Sequence, residues 1–478
     1  MPPNPLALSL AALAALAHLH PVAASPLPAA PAHLDVRAPA APLAVPLTRR
    51  GAALTKRRDA AAYQRKAQAM RSKYGGKAPG ASDTAPAAHK RQTDIAMTSY
   101  QDSEWYGEID VGTPPTAFSV VLDTGSADLI LAETGCAGCS SNTPGYQPSL
   151  SSTSATSSQA FSIQYGSGSA SGTLVRDAIS IGNYTQPNQV FAACDTLENI
   201  VDGTISGILG LGWAALASSG EVPLVESLWR NGTLPEGVIG FAFETHTFTT
   251  TSASTAPGGT LTIGGVDTSA YTGAVNWINI VQPMSYWAIP LQDMTIGGQS
   301  LGLSDDAVVI DTGTTLIGMP QAAANAVYAK IPNSQSIRLS GESGYYAFPC
   351  TQTVKVSMKF GGVDYAIDPD QFNAGAVDSR GSLCLGAVFA LETGSKSSIS
   401  IIVGDAFLTG VYSAYRFSDP PAVGFASRGS GGSANTGNTG ANDSSAGGTT
   451  SAASVPAHAG KAVGAVALAA SVAALAFA

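Results

Sequence analysis

Short hydrophobic runs, many of them alternating with polar residues, recur every eight to twelve residues between positions 92 and 427. Clusters of Gly, Asn, Asp, Ser and Pro separate these runs. A side-chain period of two, interrupted by turn residues at this spacing, is typical of β-strands, so we predict an all-β protein with few helices. Two segments, VPLVESLWRNG and PQAAANAVYAKIP, instead have the apolar spacing of short helices.

Two of the apolar runs end in the same polar tripeptide. FSVVLDTGSADLIL (118–131) and AVVIDTGTTLIGMP (307–320) each place Asp-Thr-Gly directly after a strand-like segment. A buried carboxylate is costly unless it is hydrogen-bonded, paired or functional, so Asp123 and Asp311 are candidate site residues.

A second signature, two aliphatic residues and a glycine, follows each tripeptide. It occurs in SGILGLG at Gly210 and in SIIVGDAF at Gly404. From Asp123 to Asp311 is 188 residues, and from Gly210 to Gly404 is 194. This near-equal spacing indicates a duplicated fold in which two lobes meet on a pseudo-twofold axis, each contributing one aspartate to a cleft.

The composition favours a secreted protein. A chain of 478 residues exceeds the usual single core, and its 12% of charged residues is about half the usual share. Residues 1–91 hold 13 of the 24 Lys and Arg but 3 of the 33 Asp and Glu. The remainder is strongly acidic, which argues against nucleic acid or anionic lipid as a partner and is compatible with an acidic working environment.

Five cysteines leave one unpaired in any fully bridged form. Cys136 with Cys139 and Cys350 with Cys384 are close in sequence, which leaves Cys194 as the free thiol. The first couple could also be half a zinc site or a redox pair, but no second CxxC, histidine spacing or βαβ pattern completes either. We therefore favour two disulfides and predict no metal.

Both ends of the chain have the composition of processing segments. Residues 1–24 resemble a signal peptide, and residues 25–91 form a basic pro-segment that ends at the dibasic pair Lys90 and Arg91. The alternative for 25–91 is an uncleaved, disordered basic linker. Residues 428–452 form a Ser/Gly/Thr-rich stalk, and residues 453–478 match a GPI-attachment signal, with a tail-anchoring helix as the alternative. Sequons at Asn183, Asn231 and Asn442 fit the secretory route.

An ordered set of motifs resembles the landmarks of pepsin-like aspartic endopeptidases. The set comprises YGEIDVGTPP, VVLDTGSADL, IQYGSGSASG, SGILGLG, VIDTGTTL, YW followed by IPL, and IIVGDAFL, and it extends over residues 92 to about 427. The resemblance implies a bilobal fold of two pseudo-symmetric β-barrel-like lobes, residues 92–270 with Asp123 and 271–427 with Asp311. The chain departs from the family at Ile130, where a tryptophan is usual.

The family resemblance also implies a role for each residue near the aspartates. Two adjacent carboxyls share one proton and together activate a water molecule. The supporting residues are two threonines that cross-link the loops, two glycines that permit the turns, and two hydroxyl residues that bond the outer carboxyl oxygens: Thr124, Thr312, Gly125, Gly313, Ser126 and Thr314. Tyr165, Gly166 and Ser167 resemble the tip of a flap over the substrate, and Val121, Ile208 and Leu316 are possible apolar subsite residues.

These observations predict a secreted, GPI-anchored endopeptidase of the cell surface that hydrolyses protein or peptide substrates at acid pH without a cofactor. We expect a monomer whose basic pro-segment lies across the acidic cleft as an inhibitor. The alternative is a catalytically silent peptide-binding module on the same fold. A half-enzyme that needs a homodimer is excluded because one chain carries both motifs. Subsite preference stays open between the apolar residues of pepsins and the basic residues of the yapsins.

Overall fold

The computed structural model describes residues 43–50, 60–74, 105–164, 168–200, 203, 205–245, 255–339, 341–378, 380–393 and 399–429. Several predicted features lie outside these residues: the signal peptide, Lys90, Arg91, the hairpin tip at 165–167, Asn442, the stalk beyond residue 429 and the GPI signal.

Strands dominate the described residues, which confirms the predicted all-β class. In chain order they are β1 (Leu43–Arg50), β2 (Trp105–Val111), β3 (Thr116–Asp123), β4 (Leu129–Ala137), β5 (Ala155–Gln164), β6 (Ser169–Ile181), β7 (Tyr184–Glu198), β8 (Gly207–Gly210), β9 (Val238–Phe243), β10 (Thr255–Ile263), β11 (Tyr271–Asn279), β12 (Ala288–Leu291), β13 (Asp293–Ile296), β14 (Gln299–Ser300), β15 (Asp305–Ile310), β16 (Ile317–Met319), β17 (Gln335–Leu339), β18 (Glu342–Pro349), β19 (Val356–Phe360), β20 (Val363–Ile367), β21 (Asn373–Ala376), β22 (Leu383–Gly386), β23 (Val388–Ala390), β24 (Ile401–Val403), β25 (Val411–Arg416) and β26 (Ala422–Arg428).

The helices are short, and they include both of the helices that the apolar spacing predicts. They are α1 (Ala60–Lys73), α2 (Leu224–Arg230), α3 (Gln321–Ala329), α4 (Pro369–Phe372) and α5 (Asp405–Leu408), with 3-10 turns at Pro148–Leu150 and Ala214–Leu216. The helices α2 and α3 lie in the two segments singled out above, and α3 ends just before Pro332.

One large sheet combines strands of both halves of the chain, and three smaller sheets belong to the second half alone. The largest sheet has the order β11-β26-β25-β9-β10-β1-β2-β3-β8-β4-β7-β6-β5. Three smaller sheets, β12-β15-β24-β16-β23, β14-β13-β19-β20 and β17-β18-β22-β21, come entirely from the second half. Because β11, β25 and β26 join the sheet of the first half, the lobe boundary at residue 270 stays a prediction.

The internal repeat is visible in the pairing around each Asp-Thr-Gly. The strand that leads to the tripeptide pairs in parallel with the strand of the second signature, β3 with β8 and β15 with β24. The strand that follows each tripeptide pairs antiparallel with the other edge of the second-signature strand, β4 with β8 and β16 with β24. The same three-strand arrangement therefore positions Asp123 and Asp311.

The glycine of each second signature packs directly on the neighbouring Asp-Thr-Gly loop. A Cβ atom on Gly210 would lie 2.4 Å from the carbonyl carbon of Ala127, and one on Gly404 would lie 2.0 Å from the carbonyl oxygen of Thr314. Both distances are far below van der Waals contact, so a side chain at either position would displace the loop that carries an aspartate.

Candidate active site

Asp123 and Asp311 lie at the ends of β3 and β15, and both carboxyls are buried. The loops face each other closely. A Cβ atom on Gly125 would lie 2.6 Å from Cγ of Asp311, and one on Gly313 would lie 2.2 Å from Oδ1 of Asp123. Each glycine thus lets its loop approach the opposite carboxyl, and we call Asp123 and Asp311 together the dyad.

Hydrogen bonds to the dyad follow the same pattern in both loops. The Gly125 amide donates to Oδ1 of Asp123 at 2.9 Å, and the Ser126 hydroxyl donates to its Oδ2 at 2.5 Å. The Gly313 amide donates to Oδ1 of Asp311 at 2.9 Å, and the Thr314 hydroxyl donates to its Oδ2. These donors hold the two carboxyl groups in a fixed orientation.

Two threonines cross-link the loops through four buried hydrogen bonds. The Thr124 hydroxyl donates to the Ile310 carbonyl at 3.0 Å, and the Thr312 hydroxyl donates to the Leu122 carbonyl at 2.7 Å. Each hydroxyl also accepts from the other threonine's amide, at 3.0 and 3.1 Å. The distance between the aspartates therefore depends on a symmetric set of bonds between two segments far apart in sequence.

We expect Thr312→Val to destabilise the protein by about 2–6 kcal/mol, because it leaves two buried groups, the Leu122 carbonyl and the Thr124 amide, without a partner at ~1–3 kcal/mol each. Urea unfolding measures this change. Thr312→Ser is the matched control, since it keeps the hydroxyl. A loss below about 1 kcal/mol in the valine variant would show that the cross-link contributes little to stability.

A lysine and a tyrosine from the basic residues 25–91 lie directly on the dyad, and the sequence reasoning did not single them out. Lys73 Nζ lies 2.8 Å from Oδ1 of Asp123 and 2.9 Å from Oδ2 of Asp311. The Tyr74 hydroxyl donates to the same Oδ2 at 2.8 Å. The basic run that ends in RSKYGGK is the one sequence signal that pointed to this region.

The dyad and Lys73 shift each other's pKa values. Burial raises the pKa of Asp123 by more than the Lys73 charge lowers it, so its net pKa is above that of an ordinary aspartate. Burial also acts to raise the pKa of Asp311, but Lys73 and the Thr314 hydrogen bond outweigh it, and the net pKa is lowered. Burial would lower the pKa of Lys73, yet attraction to both carboxylates leaves it raised. An ionised Asp311 and a charged Lys73 therefore coexist at neutral pH.

One face of α1 and the residue that follows it pack against the rest of the fold. Ala67, Met70 and Tyr74 belong to the main hydrophobic cluster, while Gln64 donates to the Leu339 carbonyl at 2.8 Å. These positions recur every three or four residues, the period of one helix face. In addition, β1 pairs with β10 and β2, so two elements from residues 25–91 are joined to the fold.

The remaining predicted residues are distributed around this centre. The hairpin of β5 and β6 extends to the pair Gln164 and Ser169, while its tip lies outside the described residues. Ile208 and Leu316 are buried in core clusters and Val121 is half-buried, so direct substrate contact by these three stays a prediction. Ile130 is fully buried in the same cluster as Ile208.

The cysteines pair as predicted, Cys136 with Cys139 and Cys350 with Cys384, and Cys194 is free and buried. Asn183 and Asn231 are exposed, with the Asn231 amide donating to Gln186 at 3.1 Å. Among the described residues, no group of His, Cys, Asp or Glu could hold a metal ion. Within the same residues, no helix has the length and apolar content needed to cross a membrane.

Comparison with known proteins gives consistent matches. A family model described as eukaryotic aspartyl protease matches residues 104–428. Major aspartyl peptidase 1 of Cryptococcus neoformans var. grubii is 37% identical over 357 residues, which is 72% of either chain. An aspartic protease of Phaffia rhodozyma is 36% identical over 70% of this chain and 80% of its own. Pepsin A of Sus scrofa is 28% identical over 67% of this chain and 81% of its own.

Proposed function

This chain belongs to the eukaryotic aspartyl protease family and is a pepsin-like aspartic endopeptidase, and on that premise we propose that Asp123 and Asp311 are its catalytic pair. The observation that carries this proposal is the position of Lys73 Nζ, within 2.9 Å of an oxygen of each carboxyl. Once the pro-segment leaves, a water oxygen at that point would be hydrogen-bonded to both aspartates.

The chemistry follows from one shared proton. The ionised carboxyl takes a proton from this water while the water oxygen attacks the scissile carbonyl carbon. The protonated carboxyl donates its proton to the carbonyl oxygen. The resulting gem-diol collapses when the nitrogen of the leaving amine is protonated and the C–N bond breaks. No covalent intermediate forms. Ser126, Thr314 and the cross-linking threonines keep the two carboxyls in place throughout.

The test is digestion of an unfolded protein by the acid-activated enzyme from about pH 3 to pH 7, with and without pepstatin. We expect cleavage in acid that pepstatin abolishes and that declines toward neutral pH, because both carboxyls then become ionised. A folded protein that binds pepstatin and cleaves nothing would instead indicate a peptide-binding module.

We further propose that residues 25–91 are an inhibitory pro-segment. Lys73 and Tyr74 occupy the point where water and the scissile carbonyl must enter, so catalysis requires their departure. Removal of residues 25–91 after Lys90 and Arg91 would make Gln92 the first residue of the mature enzyme. Because both aspartates belong to one chain, we propose that the enzyme acts as a monomer.

We also propose that the enzyme is secreted, glycosylated at Asn183, Asn231 and Asn442, and held at the cell surface by a GPI anchor. The two disulfides favour an oxidising compartment, and the first two sequons are exposed. A phosphatidylinositol-specific phospholipase is expected to release the active enzyme from intact cells. Retention on the cells after this treatment, with a control GPI protein released, would rule out the anchor.

A further inference from the structure

Arg71, two residues before Lys73, occupies a pocket of its own in the enzyme body. Its guanidinium Nη1 donates to the Tyr345 hydroxyl at 2.7 Å and to Glu342 Oε2 at 3.2 Å. Its Nη2 donates to the backbone carbonyls of Ala390 and Ser343, at 3.1 and 3.3 Å. The residue is 3% exposed, so this long cationic side chain is almost completely withdrawn from water.

Two aromatic rings complete the pocket. The guanidinium carbon lies 4.8 Å from the ring centroid of Tyr345 and 5.0 Å from that of Phe389. The two rings are nearly parallel, with centroids 6.2 Å apart and an interplanar angle of 18°. Aromatic faces attract a guanidinium through their quadrupole, and the attraction strengthens when water is excluded.

Every group that contacts the guanidinium belongs to β18 or β23, and none belongs to the pro-segment. Departure of α1 would therefore leave an intact pocket with one carboxylate, one hydroxyl, two carbonyl oxygens and two ring faces. All four polar groups can accept hydrogen bonds, and Glu342 supplies the charge that matches a cation. This set suits the planar fork of an arginine better than a lysine ammonium.

The pocket adjoins the strand that leads away from the Asp311 loop. The strand β16 continues from the Asp311 loop, and its Gly318 pairs with Phe389 of β23. Met70, next to Arg71, lies over the same glycine, since a Cβ atom there would be 2.5 Å from Met70 Sδ. Arg71 and Lys73 are two residues apart in the last turn of α1, ~3 Å along the helix axis, so the same helix end that reaches the dyad also reaches the pocket.

We propose that the pocket of Glu342, Ser343, Tyr345, Phe389 and Ala390 is a substrate subsite for arginine, which Arg71 of the pro-segment occupies until activation. This inference rests on the proposed function of the dyad and adds its substrate class: protein segments with an arginine at a fixed distance from the cleaved bond. The pro-segment then inhibits in two ways, by blocking the catalytic water and by occupying a specificity pocket.

The test uses the acid-activated enzyme and one cleavable apolar peptide in which arginine is placed, in turn, at each of roughly four positions on either side of the cleaved bond. Citrulline at the same positions is the control, because it has nearly the shape of arginine without the charge. We expect one position at which arginine raises kcat/KM about tenfold or more over citrulline, the effect of a desolvated, charge-assisted contact.

Glu342→Gln should reduce this arginine-to-citrulline ratio to about threefold or less, because the pocket loses its charge and keeps its shape. Tyr345→Phe, which keeps the ring and removes the hydroxyl, should reduce the ratio by a smaller factor. Glu236→Gln is the matched control, since it removes an exposed carboxylate from the turn before β9, and it should leave the ratio unchanged. Thermal unfolding of each variant verifies that it is folded.

Three results separate the possibilities. If arginine exceeds citrulline at no position, or if its advantage survives Glu342→Gln, the subsite does not exist. If Glu342→Gln speeds activation of the proenzyme without changing the ratio, the pocket only retains the pro-segment, and the substrate proposal is also overturned. If no peptide is cleaved at all, including the parent without arginine, it is the catalytic assignment of the dyad that fails.

Discussion

Asp311→Asn is expected to lower the kcat of the mature enzyme by about 10³-fold or more, the range that loss of a positioned acid–base group produces. Asparagine has nearly the same shape and can still accept from the Gly313 amide, but it cannot share a proton with Asp123. The catalytic water then has one ionisable partner instead of two. Digestion of an unfolded protein at about pH 4 measures the effect.

The Asp311→Asn proenzyme is not expected to remove its own pro-segment. Inactivity caused by a retained pro-segment must therefore be distinguished from inactivity caused by the loss of catalysis. Cleavage after Arg91 by a dibasic-specific serine protease, followed by inhibition of that protease, gives the mature form of both wild type and variant. Asp306→Asn is the matched control, because it makes the same change at an exposed position of the same strand, β15. Residual activity above about a tenth of wild type would show that Asp311 is not part of the catalytic machinery.

Lys73→Gln is expected to abolish the latency of the proenzyme. Lys73 is 13% exposed and contacts two carboxyls that are 5% and 0% exposed, so its removal leaves buried negative charge without a partner. Breaking such a pair costs about 3–5 kcal/mol, which would favour release of the pro-segment by a factor of roughly 10² to 5 × 10³. The measurement is the initial rate of peptide cleavage at about pH 6, before any acid treatment, where the wild-type proenzyme should be silent.

The pH dependence of activation follows from the same contact. Lys73 lowers the pKa of both aspartates, so its departure raises their affinity for protons, and acid favours release. The net pKa of Asp311 in the proenzyme is below its ordinary value of 3.8. Its ion pair with Lys73 therefore stabilises docking in full above the pKa that this carboxyl has once Lys73 has left, and the contribution is lost as the pH falls through the lowered pKa of the docked form.

Two controls make the Lys73 result specific. Lys73→Arg keeps the positive charge and should keep acid-dependent activation, whereas Lys330→Gln removes an exposed lysine at the end of α3 and should not alter latency. A Lys73→Gln proenzyme that stays silent at pH 6 and activates with the wild-type pH profile would show that packing of the helix face at Ala67, Met70 and Tyr74 retains the pro-segment without help from Lys73.

Much of the centre could be predicted because its signals are local. A strand that ends in Asp-Thr-Gly needs only a run of apolar residues before a turn, and the same pattern occurs at Asp123 and Asp311. The second signature could be recognised as a repeat, but only the contacts show its structural role. Gly210 packs on the loop of Asp123, and Gly404 packs on the loop of Asp311. No pattern within a short window reports a contact between residues so far apart in the chain.

Residues 25–91, the proposed pro-segment, illustrate the opposite case. Its 13 basic residues predicted attraction to an acidic cleft, but composition could not indicate which cation would reach the dyad. That choice depends on where α1 docks, because the docked face sets the direction of each side chain near its end. Lys73 therefore reaches the aspartates, whereas Arg71 enters the pocket of Glu342 and Tyr345.

By itself, the sequence determined the strand-rich class, the duplication, the two aspartates with their glycines and hydroxyl residues, and the pairing of the cysteines, since each depends on residue type at short or repeated spacing. Only the tertiary structure decided which backbone groups the two cross-linking threonines bond, the position of Lys73 between the carboxyls and the arginine pocket. These features join segments that are 50 to more than 300 residues apart. Such contacts arise from the path of the whole chain, because packing of distant elements, and no local propensity, brings these side chains together.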